Sequence, residues 1–260
     1  MITSVHNPKI KWVRSLIHNP RTRKKATVFV VEGVRLAEDA LAASWKANLV
    51  LYDPSLSARG LSVVHAYQEQ GAPVELVSTD VMQRISGTES PQGILIVLSK
   101  QVVELTPMPD FICVLDKVRD PGNLGTILRS AAATGVEGVF LTQGCSDPFA
   151  PKVVRAGMGA QFHLAIVSAG WEEIKSWIRQ NRLTTYLADA GKGRPIFAVD
   201  FTKPLALIIG GEAFGAGAKA RALTDEYIHI PLHSNIESLN VSSAAAILFY
   251  EVMRQRKFKA

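Results

Sequence analysis

Five residues without a polar side chain, Leu205-Ala206-Leu207-Ile208-Ile209, break at once into Gly210-Gly211-Glu212, with a further glycine at 215. An unbroken apolar run, rather than an alternating one, predicts a strand buried on both faces. Further strands are expected at 111–115, 139–141, 163–167, 184–188 and 227–230. Helical patterns separate them: one from about Leu124, one from near Pro151, one over 171–180 and one over 241–255. Strands alternating with helices predict an α/β protein whose mostly parallel sheet is covered on both faces. In such sheets a ligand sits beyond the carboxyl ends of the strands. The Gly210-Gly211-Glu212 turn is one such end, and Ile230-Pro231-Leu232 through Ser238-Leu239-Asn240-Val241-Ser242 is another.

The first hundred residues repeat the alternation on a smaller scale. Strands are expected at 27–31, 47–52, 74–77 and 93–98, and helices at 7–17, 34–43, 61–69 and 79–85. The stretch 19–25 reads as a basic turn. Residues 99–110, with Pro107 and Pro109, form the best linker, so two domains are expected, 1–104 and 105–260.

Charge is placed unevenly. The chain carries +6 overall, and residues 1–25 hold Lys9, Lys11, Arg14, Arg21, Arg23, Lys24 and Lys25 with no acid among them. Without that cluster the chain is nearly neutral. Such a patch suits a phosphate backbone, although a solvated basic helix would look the same. Two cysteines give neither a disulfide framework nor metal-ligand spacing. Cys113 lies in an apolar strand and reads as a small core residue. No apolar run is long enough to span a membrane, and the N-terminus has no signal core, so a cytoplasmic protein is expected.

Three segments could carry chemistry. In Asp120-Pro121-Gly122-Asn123-Leu124-Gly125 and on to Arg129, Asn123 reads as a helix cap. Leu124, Ile127, Leu128 and Ala131 form the buried stripe. Arg129 then faces outward, with Gly125 one turn before it leaving space for a phosphate or sugar. Glu212 is either a helix-capping acid or one that orients a substrate or an arginine. Ser238 and Asn240 are either caps of the last helix or contacts in a site. Neither G-x-G-x-x-G nor a Walker motif is present.

Taken together and in order, these segments resemble the SpoU (TrmH) branch of the SPOUT methyltransferases, which methylate ribose 2′-hydroxyls of RNA. Leu115-Asp116 through Arg129 matches the first family motif. Ile209 to Gly215 matches the second. Ile230-Pro231-Leu232 with Glu237-Ser238-Leu239-Asn240-Val241-Ser242 matches the third. Asn7-Pro8-Lys9-Ile10-Lys11 and Phe29-Val30-Val31-Glu32-Gly33-Val34-Arg35 are similar to the family's substrate-binding domain, which resembles ribosomal proteins of the L30e/L7Ae type. Arg155-Ala156-Gly157 departs from many relatives, which have serine where Gly157 stands.

The resemblance implies a C-terminal trefoil knot, S-adenosylmethionine as cofactor, no metal and a homodimer formed through the C-terminal domain. It implies that Gly210, Gly211, Ile230 and Leu239 hold the adenosyl part. Asn123, Arg129, Glu212, Ser238 and Asn240 would form the catalytic set. Lys9, Lys11, Arg21, Arg23, Lys24, Lys25, Arg35 and Arg155 would contact RNA, ribosomal before transfer RNA. Arg129 is the family's candidate base. Its guanidinium is always charged, so clamping a phosphate is the more conservative role. The competing expectations are a non-enzymatic RNA-binding or ribosome-assembly factor, and a transferase of the same superfamily acting on a base nitrogen.

Overall fold

The computed structural model describes residues 1–212, 215–233 and 237–257. Ala213 and Phe214, inside the second motif, lie outside them. Contacts divide the chain into two compact units: Met1–Gln101 with Phe149–Phe162, and Val102–Pro148 with His163–Ala260. Among the described residues no helix is long and apolar enough to cross a membrane.

The first part of the chain runs α1 (Pro8–His18), α2 (Pro20–Ala26), β1 (Val28–Glu32), α3 (Val34–Ala42), β2 (Ala47–Tyr52), α4 (Ala58–Glu69), β3 (Val74–Leu76), α5 (Thr79–Ile85) and β4 (Ile94–Ser99). The expected basic turn at 19–25 is a helix. Asn19 ends α1 through its backbone N–H, which donates to Ser15 O at 2.9 Å. The same residue opens α2 with its side chain, which accepts from Arg21 N at 2.9 Å. Pro20 supplies a preset first turn, so one asparagine serves two helices.

These four strands pair in the order β1-β4-β2-β3, with β4 antiparallel to β1 and β2, and β3 parallel to β2. Val28 and Val30 point to one face, where Ile10, Val13 and Leu16 of α1 and Met82 and Ile85 of α5 cover them. Phe29 points to the other. Its ring lies 5.6 Å from Trp45 and 5.0 Å from Phe149, and Trp45 lies 5.4 Å from Phe162. Phe149 and Phe162 bound the distant segment that joins this unit, so the aromatic face of the sheet is completed by residues from far along the chain.

The chain continues as β5 (Phe111–Asp116), α6 (Pro121–Thr134), β6 (Gly138–Leu141), α7 (Pro151–Gly157), β7 (Ala165–Ser168), α8 (Trp171–Gln180), β8 (Thr184–Ala188), β9 (Arg194–Pro195), β10 (Leu205–Gly210), α9 (Ala218–Leu223), β11 (Glu226–His229) and α10 (Val241–Lys257). Of these, α7 belongs to the first unit. The second unit's sheet has seven strands in the order β7-β6-β5-β10-β8-β11-β9, with every pairing parallel. As a late strand, β10 enters between β5 and β8, with Ile209 opposite both Leu115 and Ala188. Ile112, Val114, Ala206 and Ile208 pack on Ile174 and Ile178 of α8. On its own stretch α10 lies along α6. The elements β9, of two residues, and α9, of six, are too short to show a periodic pattern in the sequence.

Candidate active site

The carboxyl ends of β5 and β10 are stitched together by backbone. Gly211 N donates to Asp116 O at 2.8 Å. A Cβ on Gly211 would lie 2.3 Å from Lys117 O, and one on Gly210 would lie 2.2 Å from Ala216 N. Neither position can carry a side chain at this separation, which is why the apolar strand ends in paired glycines. Asp116, 1% exposed, holds the same junction from below. Its carboxylate accepts from Thr142 Oγ1 at 3.0 Å and from Gly217 N at 2.8 Å. Burial of a carboxylate requires such donors.

Beyond this junction opens a cavity of about 380 Å³. The ends of β8, β10 and β11, the 238–240 loop and the first turns of α10 line it. Its walls are mainly apolar, with Ile209, Ile228, Leu239, Val241 and Leu248 among them. Asp189 and Glu212 supply carboxylates, and no Lys or Arg takes part among the described lining residues. The size suits a small organic ligand.

Asp120, not Asn123, caps α6: its side chain accepts from Asn123 N at 2.8 Å, and the helix begins at Pro121, three residues earlier than expected. The Asn123 side chain is thereby released. Its Nδ2 donates to Glu212 Oε1 at 2.9 Å, and its Oδ1 accepts from Asn240 Nδ2 at 3.1 Å. Asn240 Oδ1 in turn accepts from Ser242 N at 2.8 Å and Ser243 N at 3.4 Å, capping α10. Backbone N–H groups can only donate, so they fix the Asn240 amide; that fixes Asn123, which must then donate to an acceptor. Glu212 is that acceptor. Burial pushes its carboxyl up, but the Asn123 amide and backbone N–H groups outweigh this and leave it below the usual carboxylate range.

Of the expected cofactor residues, Gly210, Gly211, Ile230 and Leu239 all line the cavity. So do Glu212, Ser238 and Asn240 of the expected catalytic set, and Asn123 joins them through its two hydrogen bonds. Arg129 stands apart. It is exposed on α6 and makes no hydrogen bond or ion pair among the described residues. Gly125 is buried, so it does not open the space beside Arg129 that was expected. Sequence reasoning missed Asp116 as an anchor and Asp189 as a cavity residue. An acid directly after each of two apolar strands was the available signal.

The expected RNA contacts divide. Lys11, Arg21, Lys24, Lys25 and Arg35 are exposed. Lys9 is exposed and paired with Glu75. Arg23 is a correction: it is 2% exposed, and its Nη1 donates to Leu16 O at 2.7 Å and Ile17 O at 3.1 Å, closing the end of α1. Arg155 is partly exposed and pairs with Glu32 at 3.3 Å and with Gly87 O at 3.2 Å.

The model of the SpoU rRNA Methylase family matches residues 110–250, and that of the MRM3-like substrate binding domain matches residues 7–96. An uncharacterized tRNA/rRNA methyltransferase of Synechocystis is 34% identical, over 98% of this chain and 94% of the relative. The 23S rRNA (guanosine(2553)-2′-O)-methyltransferase RlmP of Bacillus subtilis is 31% identical, over 96% of this chain and 98% of the relative. The crystal structure of an AdoMet-bound rRNA methyltransferase from Sinorhizobium meliloti matches with a TM-score of 0.88 at 29% identity, covering 97% of each chain.

Proposed function

The chain belongs to the SpoU rRNA methylase family, and from that premise we infer that it methylates a ribose 2′-hydroxyl of large-subunit ribosomal RNA, with S-adenosylmethionine as donor. The observation that carries this reading is the cavity at the strand ends. Its apolar walls accept an adenine ring, its glycine backbone permits close approach, and among the described lining residues Asp189 and Glu212 are acids while none is Lys or Arg. Two carboxylates, with no Lys or Arg among the described lining residues, suit a cationic sulfonium compound better than a nucleoside polyphosphate, which calls for basic side chains.

When bound, S-adenosylmethionine supplies a methyl carbon on positive sulfur, open to in-line attack by an oxygen nucleophile. Backbone groups at Gly210, Gly211, Ile230 and Leu239 hold the adenosyl part. The Glu212–Asn123–Asn240 chain fixes the loop ends around the reacting centre, with Ser238 beside it. Arg129, exposed and unpaired among the described residues, clamps an RNA phosphate with its planar fork and so sets the hydroxyl in line. The exposed bases of α1 and α2 grip structured RNA by its backbone.

The same reading includes a trefoil knot, supported by the late entry of β10 between β5 and β8. It includes a homodimer through α10, whose outer face exposes Ile247 and Tyr250 opposite the buried Ala245, Leu248 and Val252. Its compartment is that of the ribosome, the cytoplasm.

Transfer of labelled methyl to unmodified ribosomal and transfer RNA transcripts, with nucleoside analysis, tests the function. A 2′-O-methyl nucleoside in large-subunit RNA, made by the wild type and not by Arg129→Ala, is expected. A base-methylated product would overturn the mechanism, and absence of both transfer and cofactor binding would leave an RNA-binding assembly factor.

A further inference from the structure

We propose that Asp189 accepts the two ribose hydroxyls of the bound cofactor, an inference that rests on the S-adenosylmethionine reading above. In a parallel sheet β8 lies next to β10, and Ala188 stands opposite Ile209. The residues that follow are Asp189 on one strand end and Gly210 on the other. Both line the cavity. A glycine turn that lets backbone approach the ligand, beside an acid at the end of the neighbouring strand, is the division of labour by which dinucleotide sites take a ribose. Here the geometry exists without the G-x-G-x-x-G sequence.

Asp189 is built to receive rather than to move. Its N–H donates to Ile228 O at 2.9 Å, which ties the strand end to β11. Its Oδ2 accepts from Arg221 Nη1 at 3.0 Å, and its Oδ1 accepts from Gly191 N at 3.2 Å. Arg221 is itself held, through Nε, by Ala216 O at 3.1 Å. A carboxylate offers about four acceptor positions. Two are used among the described residues, one on each oxygen, and one on each remains. A cis-diol brings two donors a short distance apart, and each would meet one carboxylate oxygen in a charge-assisted bond. Arg221 already holds Oδ2, and no Lys or Arg among the described lining residues competes for those positions.

The test is calorimetric binding of S-adenosylhomocysteine, S-adenosylmethionine and the 2′,3′-dideoxy analogue of S-adenosylhomocysteine to the full-length wild type, Asp189→Ala, Asp189→Asn and Arg221→Ala. Asp189→Ala is expected to weaken both natural ligands by about tenfold or more and to leave the dideoxy analogue within about twofold of wild type. Asp189→Asn should recover part of the loss, and Arg221→Ala should cost less than Asp189→Ala. Equal losses for the diol and dideoxy ligands would reduce Asp189 to a structural partner of Arg221 and overturn the proposal. A loss confined to S-adenosylmethionine would assign the carboxylate to the sulfonium instead, and also overturn it. Failure of the wild type to bind any of the three would remove the cofactor reading itself.

Discussion

Asn123 and Glu212, 89 residues apart in the sequence, meet side chain to side chain at 2.9 Å, joining the start of α6 to the turn after β10. The bond has a fixed direction, because the α10 amides that hold Asn240 leave Asn123 only its NH₂ to offer. Asn123→Asp would remove the donor and set one carboxylate against another. We expect methyl transfer to fall by about a hundredfold, the scale of a small misplacement of reacting groups. Single-turnover kinetics at saturating cofactor would check it; Asn123→Asp with wild-type turnover would free the network from any part in catalysis.

The Glu212 carboxyl is opposed by burial but held down by Asn123 and backbone N–H donors, so its folded value lies below the ordinary 4.5. A depressed value contributes stability above the unfolded value and loses it as pH falls through the folded one. The network should therefore stay intact from neutral pH through the ordinary carboxylate range and open only as pH falls through the lower folded value. An NMR titration following the Asn123 side-chain amide would report this. A transition at pH 6 to 7 would contradict it.

Gly211→Ala is expected to reduce cofactor affinity by at least about tenfold, since its Cβ would intrude to 2.3 Å from Lys117 O and force the two strand ends apart. Calorimetry alongside a thermal melt separates a displaced turn from general unfolding. Unchanged affinity would show that the junction can yield.

The basic N-terminus cannot be tested by deleting it, because Ile10, Val13 and Leu16 of α1 are core residues. Neutralising exposed positions keeps the fold: Lys11, Arg21, Lys24 and Lys25 changed together to Gln should weaken RNA binding and flatten its salt dependence. Arg23→Gln should do something different. It loses charged hydrogen bonds to the end of α1, worth about 1.5–3 kcal/mol, and should lower thermal stability. A filter-binding salt series and a melt on each variant would distinguish the two roles.

Phe29→Ala should destabilise the first unit by about 3–5 kcal/mol, as expected for an aromatic side chain removed from a closed core. A fragment ending at residue 104 should behave similarly. It retains Phe29 and Trp45 but lacks Phe149 and Phe162, and it should bind a hydrophobic dye. A cooperative melt of that fragment at the full chain's temperature would refute this.

Much of the architecture could be read from the order of residues, because buried parallel strands such as Leu205–Gly210 leave an unbroken apolar run. The second and third motif segments pointed to residues that line one cavity, and Asn123 of the first reaches them by hydrogen bonds, while Arg129 stands apart. What escaped reading was local competition. Asn123 looks like a cap until Asp120, three residues earlier, is seen to take that place. Arg23 looks like the other bases until the unpaired carbonyls at the end of α1 claim it. Residues 19–25 hold no apolar stripe, so nothing but the Asn-Pro pair announced a helix. The fate of 149–162 was unreadable for a different reason, since no local pattern says which distant sheet a segment will cover.

That segment bears on how such a protein can change over generations. Residues 149–162 fall within the stretch matched by the methylase family, yet they finish the core of the substrate-binding unit. A gene fusion that replaced the first hundred codons would import a sheet cut to another protein's aromatic lid. Phe29 and Trp45 pack on rings supplied by Phe149 and Phe162, so an exchange of the first hundred residues alone would have to match those two rings.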